Sequence, residues 1–302
     1  MTAMKILNIG SMNIYKVYSL PHFVSAGETL TAGHMDTFPG GKGLNQSVAL
    51  ARAGAEVYAA GAVGSDGQFL VELLRESGAN VEHLQILKEA DTGHAIIQLE
   101  PAGQNCIIIF AGTNGLLSER YIDKTLTGFG PGDVLLMQNE TSGISYAMKK
   151  AKERGMKIAF NASPINSELF RYPLELVDIF IINELEGQAI AGTRETDHEK
   201  ILEALLQKFS QAAVVLSLGS EGVLYGQGSH RARHGVFPVP VVDTTAAGDT
   251  FCGYFLASLS KGLSPEEALH NASMASALAI GVKGAAVSIP TWAEVQRFGE
   301  TH

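Results

Sequence analysis

The sequence predicts an α/β protein: a mostly parallel sheet flanked by helices on both faces, with a small β-sheet lid. Three observations predict it. From about residue 40 onward, short apolar runs alternate with helical stretches, which is the pattern of a parallel sheet covered on both sides. Two segments, 14–38 and 92–111, break that rhythm with β-type patches and turn residues but no helical period. Apolar residues make up 46% and charged residues 18% of 302 residues, enough to bury a sizeable core and unlike a disordered chain.

Taken in order, Ile6 to Gly10 is a short apolar run, too short for a signal peptide. Residues 15–20 and 28–35 are the first β-type patches. Gly40 to Gln46 opens a helix that runs to about Ala53. Residues 57–63 read as a buried strand. The stretch 68–77 reads as a helix with Phe69, Leu70, Leu73 and Leu74 on one face, stopped by Gly78. Residues 93–99 and 105–110, around Pro101 to Gln104, read as a hairpin. A strand at 133–137 is followed by a helix at 142–154 carrying Ile144, Ala147, Met148 and Ala151 and ended by Gly155. Strands are expected at 157–160, 178–182 and 213–217, with a helix at 197–210 between the last two. Nothing in the composition marks a linker, so one domain over 1–302 is expected, with the β excursions as a lid. Ligands of such sheets bind outside the carboxyl ends of the strands.

The formal net charge of −9 argues against a nucleic-acid partner, which would want a basic surface. No apolar run reaches the ~18 to 20 residues of a membrane span, so no membrane partner is expected. Two cysteines, Cys106 and Cys252, make neither a disulfide framework nor a cysteine zinc site, and a reducing cytoplasm is the expected location.

Several motifs have the means for chemistry. In Gly40-Gly41-Lys42-Gly43-Leu44-Asn45-Gln46, glycines at a helix start let the backbone approach a ligand, and free N–H groups there favour oxygen-rich or anionic groups. The spacing fits neither a Walker A loop nor G-x-G-x-x-G; a plain turn and helix cap is the other reading. In Val242 to Phe251, the small run Ala246-Ala247-Gly248 at a helix N-terminus leaves N–H groups for an anion hole. Asp249 in the first turn can accept a proton from an attacking hydroxyl, or merely cap the helix. Asn183 and Glu186, three apart, suit phosphates and a hydrated Mg²⁺, or form a capping box. Ser217 to Gly222 is a glycine turn after a strand, fit for a nucleotide or a hairpin. Glu140 follows a strand end, where a ligand-binding carboxylate or a loop charge is equally at home.

Their order along almost the whole chain resembles the ribokinase-like, or PfkB, family of carbohydrate kinases, and within it the ribokinases. Gly10-Ser11-Met12-Asn13, Gly40 to Gln46, Met137 to Glu140, Asn183 to Glu186, Leu218 to Gly222, Asp243 to Phe251 and Lys283-Gly284-Ala285 carry the resemblance. It implies that Asp249 is the base, with the anion hole at Ala246, Ala247 and Gly248. It implies sugar-binding positions at Asn13, Gly41, Lys42, Asn45 and Glu140, together with Asp249. Asn183 and Glu186 would organise phosphates and Mg²⁺. The ATP side would be Ser217, Leu218, Gly219, Ser220, Glu221 and Gly222, with Gly248 and Ser273. A potassium site would lie at Asp243, Thr245, Ala279, Val282, Gly284 and Ser288. The lid would also form a homodimer interface.

The implied reaction is ATP-dependent phosphorylation of a small sugar's primary hydroxyl, D-ribose to D-ribose 5-phosphate first. Another sugar or a nucleoside is the alternative within the class, and a non-catalytic sugar-binding regulator the alternative outside it. One position departs from the pattern. Ribokinases usually carry an Asp two residues after the Asn of the first strand; here it is Tyr15. A carboxylate accepts from two vicinal hydroxyls at once, whereas a phenol has one oxygen, a ring and a proton to place.

Overall fold

The computed structural model describes residues 4–301. In chain order the strands are β1 (Lys5–Ile9), β2 (Asn13–Ser19), β3 (His34–Gly40), β4 (Glu56–Val63), β5 (Asn80–Ile86), β6 (Gly93–Leu99), β7 (Asn105–Phe110), β8 (Val134–Gln138), β9 (Lys157–Asn161), β10 (Ile179–Asn183), β11 (Ala213–Ser217), β12 (Val223–Gln227) and β13 (His230–His234). The helices are α1 (Lys42–Arg52), α2 (Gln68–Glu76), α3 (Glu119–Leu126), α4 (Ile144–Glu153), α5 (Glu184–Ala191), α6 (His198–Lys208), α7 (Ala247–Ser260), α8 (Pro265–Ile280) and α9 (Trp292–Gly299).

A nine-stranded sheet runs β13-β12-β11-β10-β9-β8-β1-β4-β5. It is parallel from β11 to β5, and β12 and β13 add on antiparallel. Its inner strands are mostly apolar, as burial on both faces demands, with buried amides at Asn8 of β1 and Gln138 of β8. On β1, Ile6 faces a core built with α1, α2, α7 and α8, while Leu7 and Ile9 face the core of α3 to α6. Helices thus cover both faces. No helix among the described residues is long and apolar enough to cross a membrane.

The second sheet has four strands in the order β3-β2-β6-β7. The hairpin expected at 93–99 and 105–110 is β6 and β7. The patch expected over 28–35 is displaced: residues 20–33 are irregular, with turns or bends at 21–22, 26–27 and 33, and the strand is His34–Gly40. Its register is set by β2, with Asn13 opposite Gly40 and Ser19 opposite His34. Asn13 also aligns with Gly93 of β6. The sequence pattern did not mark β5, β12, β13, α3, α8 or α9.

Small residues decide how closely the layers approach. A Cβ on Gly43 would collide with the backbone of Gly10, so the start of α1 sits on the end of β1. A Cβ on Gly253 would collide with the Cβ of Ala49, so α7 lies directly against α1. Adding a methyl there overpacks a filled core, which typically costs about 1–3 kcal/mol. Gly253→Ala should lower the unfolding free energy by about 1–3 kcal/mol, less any gain in helix propensity, and the denaturation midpoint should fall with it. Adding Ala49→Gly should restore part of the loss; a midpoint unchanged by the single substitution would show that the helices separate freely.

Candidate active site

Because β1, β8, β9, β10 and β11 are parallel, their carboxyl ends share one edge of the sheet. Gly10, Gln138, Asn161, Asn183 and Ser217 lie along it. The N-termini of α1 and α7 close over this edge and bring the two strongest motifs face to face. The Asn45 Nδ2 donates to Asp249 Oδ2 at 2.8 Å, and the Gln46 Nε2 donates to Asp249 Oδ1 at 2.8 Å. Asp249 is only 8% exposed, so these two donors compensate a carboxylate largely withdrawn from water.

The residues expected on the sugar side converge on one flank of Asp249. Glu140 accepts from the Lys42 backbone N–H at 3.2 Å and from the Ser11 hydroxyl. Ser11 in turn accepts from the Gly43 N–H at 3.3 Å. Gly41 has φ 96°, and a Cβ there would lie 2.8 Å from the Ser11 carbonyl oxygen, so only glycine fits this turn into α1. Asn13 is held through its Oδ1 by the Asn114 Nδ2 at 2.8 Å. Asn45 Oδ1 is buried without a partner among the described residues. A buried acceptor beside a carboxylate is a place for a ligand hydroxyl.

Tyr15 points into this group. Its ring packs on the Cα of Gly40, and its oxygen accepts from the Gly41 N–H at 3.2 Å. Burial, with Glu140 beside it, pushes the phenol up to about 12. Burial also raises Glu140, and the nearby Lys42 charge and the Ser11 hydrogen bond only partly offset it. Burial alone would lower the Lys42 ammonium, but Asp249 and Glu140 outweigh it and raise it.

On the other flank, Lys42, Asn161, Asn183, Glu186, Gly248 and Asp249 line a cavity of about 240 Å³. It shares Ser217, Thr244, Gly248 and Phe251 with a largely apolar cavity of about 460 Å³. Gly219, Ser220, Gly222, Phe237, Val239 and Ser273 are among the walls of that second cavity. The expected nucleotide-side residues are therefore brought together, except that the Leu218 side chain is in the core and Glu221 faces His198 at 3.7 Å.

Two expectations change in detail. The Ala247 N–H donates to the Thr244 carbonyl at 3.2 Å, closing the turn before α7. Intrahelical bonding begins with Thr250 N–H to the Ala246 carbonyl at 2.8 Å, so of the three expected N–H groups only that of Ala247 is taken up in the turn; those of Ala246 and Gly248 keep no partner among the described residues, and that of Asp249 joins them. Ala246 holds that turn at φ 62°, a left-handed conformation that costs a non-glycine residue of order 1 kcal/mol. Asn183 and Glu186 form a complete capping box: Glu186 N–H donates to Asn183 Oδ1 at 2.9 Å, and Asn183 N–H donates to Glu186 Oε2 at 3.0 Å. The capping reading of that pair is therefore observed; the boxed carboxylate also lines the cavity, and burial raises it. Among the described residues no group of three or more His, Cys, Asp or Glu side chains converges as a metal cluster.

The loops at 243–245 and 279–288 also meet. Asp243 Oδ1 accepts from the Thr245 N–H at 2.9 Å and Oδ2 from the Gly284 N–H at 3.0 Å. Burial pushes Asp243 up, but these bonds outweigh it and hold its carboxyl below the usual range. Ser288 turns away, donating to the Ala285 carbonyl at 2.8 Å. Sequence reasoning missed roles for Ser11, Gln46, Asn114, Asn161 and Ser163. Asn161 ends β9 as Asn183 ends β10, Ser163 lies two residues beyond and lines the same cavity, and the carboxyl end of a parallel strand was the available signal.

The sequence profile described as pfkB family carbohydrate kinase matches residues 3–292. A ribokinase of Haemophilus influenzae is 36% identical over 302 aligned residues, covering 97% of each chain. Among solved structures, Arabidopsis thaliana ribokinase complexed with ribose and ATP superposes with a TM-score of 0.87 at 29% identity, covering 99% of both chains. Ribokinase from Cryptococcus neoformans in complex with ADP gives 0.83 at 31%, covering 98% of this chain and 99% of that one.

The charge at Glu140 carries a cost that can be measured. A carboxyl raised in the folded state binds its proton more tightly when folded. Its contribution to stability is therefore present below the ordinary value of 4.5 and lost as the pH climbs through the raised one. Glu140→Gln should melt above the parent at neutral pH without ligand, the two converging below the ordinary value. A parent as stable as the variant at neutral pH would mean that Lys42 and Ser11 outweigh burial.

Proposed function

The chain belongs to the pfkB family of carbohydrate kinases, and on that premise we propose that it transfers the γ-phosphoryl group of ATP to the primary hydroxyl of a small sugar, D-ribose first. The observation that carries this reading is the position of Asp249. It is fixed by two amide donors between the Tyr15–Glu140 flank and a cavity that opens into an apolar, nucleotide-sized pocket. The sugar hydroxyl gives its proton to Asp249 as its oxygen bonds to the γ-phosphorus. The bond from that phosphorus to the β–γ bridging oxygen breaks, and ADP leaves. The Gly248 and Asp249 N–H groups and the Lys42 ammonium face the charge that moves.

Asn183 and Glu186 suit Mg²⁺ at one remove, through water and phosphate, because the capping box already occupies both side chains. The ion would neutralise phosphate charge. Asp243 suits a clamp between two loops whose backbone carbonyls, at Ala279 and Val282 among others, would hold a potassium ion. The reading carries with it a single domain, a cytoplasmic location and no nucleic-acid or membrane partner. It also carries a homodimer through the four-stranded sheet, whose edge strand β7 exposes Ile107, Ile108, Ile109 and Phe110.

ATP consumption across a panel of pentoses, hexoses and nucleosides, with Mg²⁺ and K⁺ present, tests the proposal. Asp249→Asn should lower kcat by ~10² to 10⁴ while sugar affinity changes far less. Wild-type turnover in that variant would leave Asp249 a helix cap. No turnover with any acceptor would favour the sugar-binding regulator.

Tyr15 supports a second reading, a sugar other than D-ribose. Charge-assisted bonds to a carboxylate are worth about 1.5–3 kcal/mol each, and one neutral phenol bond replaces them. A sugar lacking a hydroxyl on that edge should then compete well. Tyr15→Asp should raise kcat/KM for D-ribose at least several-fold and lower it for the preferred acceptor, since ~1.4 kcal/mol is tenfold. No change for either sugar would remove Tyr15 from substrate selection.

A further inference from the structure

Behind Asp249 lies a chain of side-chain amides that lines neither of the two cavities described above. Gln46 is fully buried, as are Gln138 and Asn8. The Gln46 Nε2 donates to Asp249 Oδ1 at 2.8 Å, and its Oε1 accepts from the Gln138 Nε2 at 2.7 Å. The same Gln138 nitrogen donates to Asn8 Oδ1 at 2.9 Å. Asn8 passes the sense onward, its Nδ2 donating to the Gly43 carbonyl at 2.9 Å and to the Ser47 hydroxyl at 2.8 Å. The Cys252 thiol adds a weak donor to Gln46 Oε1 at 3.6 Å.

An amide can present either its oxygen or its nitrogen, and this network leaves only one choice. A carboxylate accepts and cannot donate, so Gln46 must turn its nitrogen to Asp249. Its oxygen then faces Gln138, which must supply N–H. Gln138 spends that nitrogen on two acceptors, and its own Oε1 is left buried without a partner among the described residues. An unsatisfied buried acceptor is costly. The network places that cost at its far end instead of turning a carbonyl toward Asp249.

Resting on the proposed role of Asp249 as base, we infer that Gln46 is the positioning residue for that carboxylate, and that Gln138 fixes the orientation of the Gln46 amide. Asn45, the other donor to Asp249, borders the sugar flank and has an oxygen to offer a hydroxyl. Gln46 has neither exposure nor a free atom for substrate. It is the donor that stays when Asn45 engages the sugar, and it keeps the plane of the carboxylate and one oxygen aimed at the acceptor hydroxyl. Misplacing a base within a preorganised site slows the chemical step without weakening binding.

The test compares the full-length parent with Gln46→Met, Gln138→Met, Gln138→Glu, Asp249→Asn and the double variant Gln46→Met/Asp249→Asn. The substrates are ATP and D-ribose, or the panel sugar turned over fastest. Gln46→Met should lower kcat about 10- to 100-fold, with KM for both substrates within about threefold. The double variant should be no slower than Asp249→Asn alone, because Gln46 acts only through Asp249. Gln138→Glu offers a second acceptor to the Gln46 oxygen and forces its amide to turn over. It should be slower than Gln138→Met despite its closer shape. ATP binding by calorimetry and the thermal midpoint identify chains that have failed to fold. If Gln46→Met is one of them, the Gln138 pair decides. A kcat for Gln46→Met within threefold of the parent, a further tenfold loss in the double variant, or Gln138→Glu as fast as Gln138→Met would overturn the inference. Full turnover in Asp249→Asn would instead overturn the role of Asp249 itself.

Discussion

Gly253 offers no side chain to Ala49, so α7 can lie directly on α1, and the chemistry of the molecule depends on that closeness. Asn45 and Asp249 are 204 residues apart in sequence and hydrogen-bonded in space. A buried carboxylate without donors would be expensive to keep charged. Two amide nitrogens, one on each oxygen, make the position tolerable and also fix its orientation. Were the helices separated by even the width of a methyl group, the carboxylate would lose its donors or its burial.

The same economy of small residues governs the other end of α1. Gly43 seats the helix on Gly10, and Gly41 turns the chain into it without a Cβ. That turn sets Lys42 among Asp249, Glu140, Tyr15 and Glu186, whose combined influence raises its pKa despite burial. Lys42 is thus held charged with no ion pair among the described residues, facing a cavity between a polar flank and an apolar one. Glu140 and Glu186 are raised by the same burial. The site concentrates unfavourable charge burial where charge is to be moved, and stability is supplied elsewhere by the two apolar cores.

The parallel strands were legible in the sequence because burial on both faces makes them continuous apolar runs: 213–217 is matched to the residue. The hairpin at 93–99 and 105–110 was legible from its turn residues and apolar strands. Strand β3 was misplaced because its span, His34–Gly40, contains Asp36, Thr37 and Pro39 and has no clean alternation; pairing with β2 decides its register. The site was legible where glycine spacing or a helix start announced it, at Gly41, Lys42, Gly248 and Asp249. Gln46, Gln138 and Asn8 gave no local sign. Each is an ordinary amide in its own segment, and only the tertiary fold reveals which atoms face one another. Tyr15 was legible as a departure from a family pattern, but its direction was not.

The registers of the small sheet have a mechanical corollary. Asn13 is aligned with both Gly40 and Gly93, so β2, β3 and β6 all meet the main body in one row of residues. Two of the three are glycines, each too closely packed to admit a Cβ. Were the sheet to swing over the cleft, that row would be its axle. Asn13 and Gly41 lie on or beside it and would stay with the main body. Tyr15, two residues out along β2, is latched to the same row: its ring packs on Gly40 and its oxygen accepts from the Gly41 N–H. That latch is the first contact such a swing would strain.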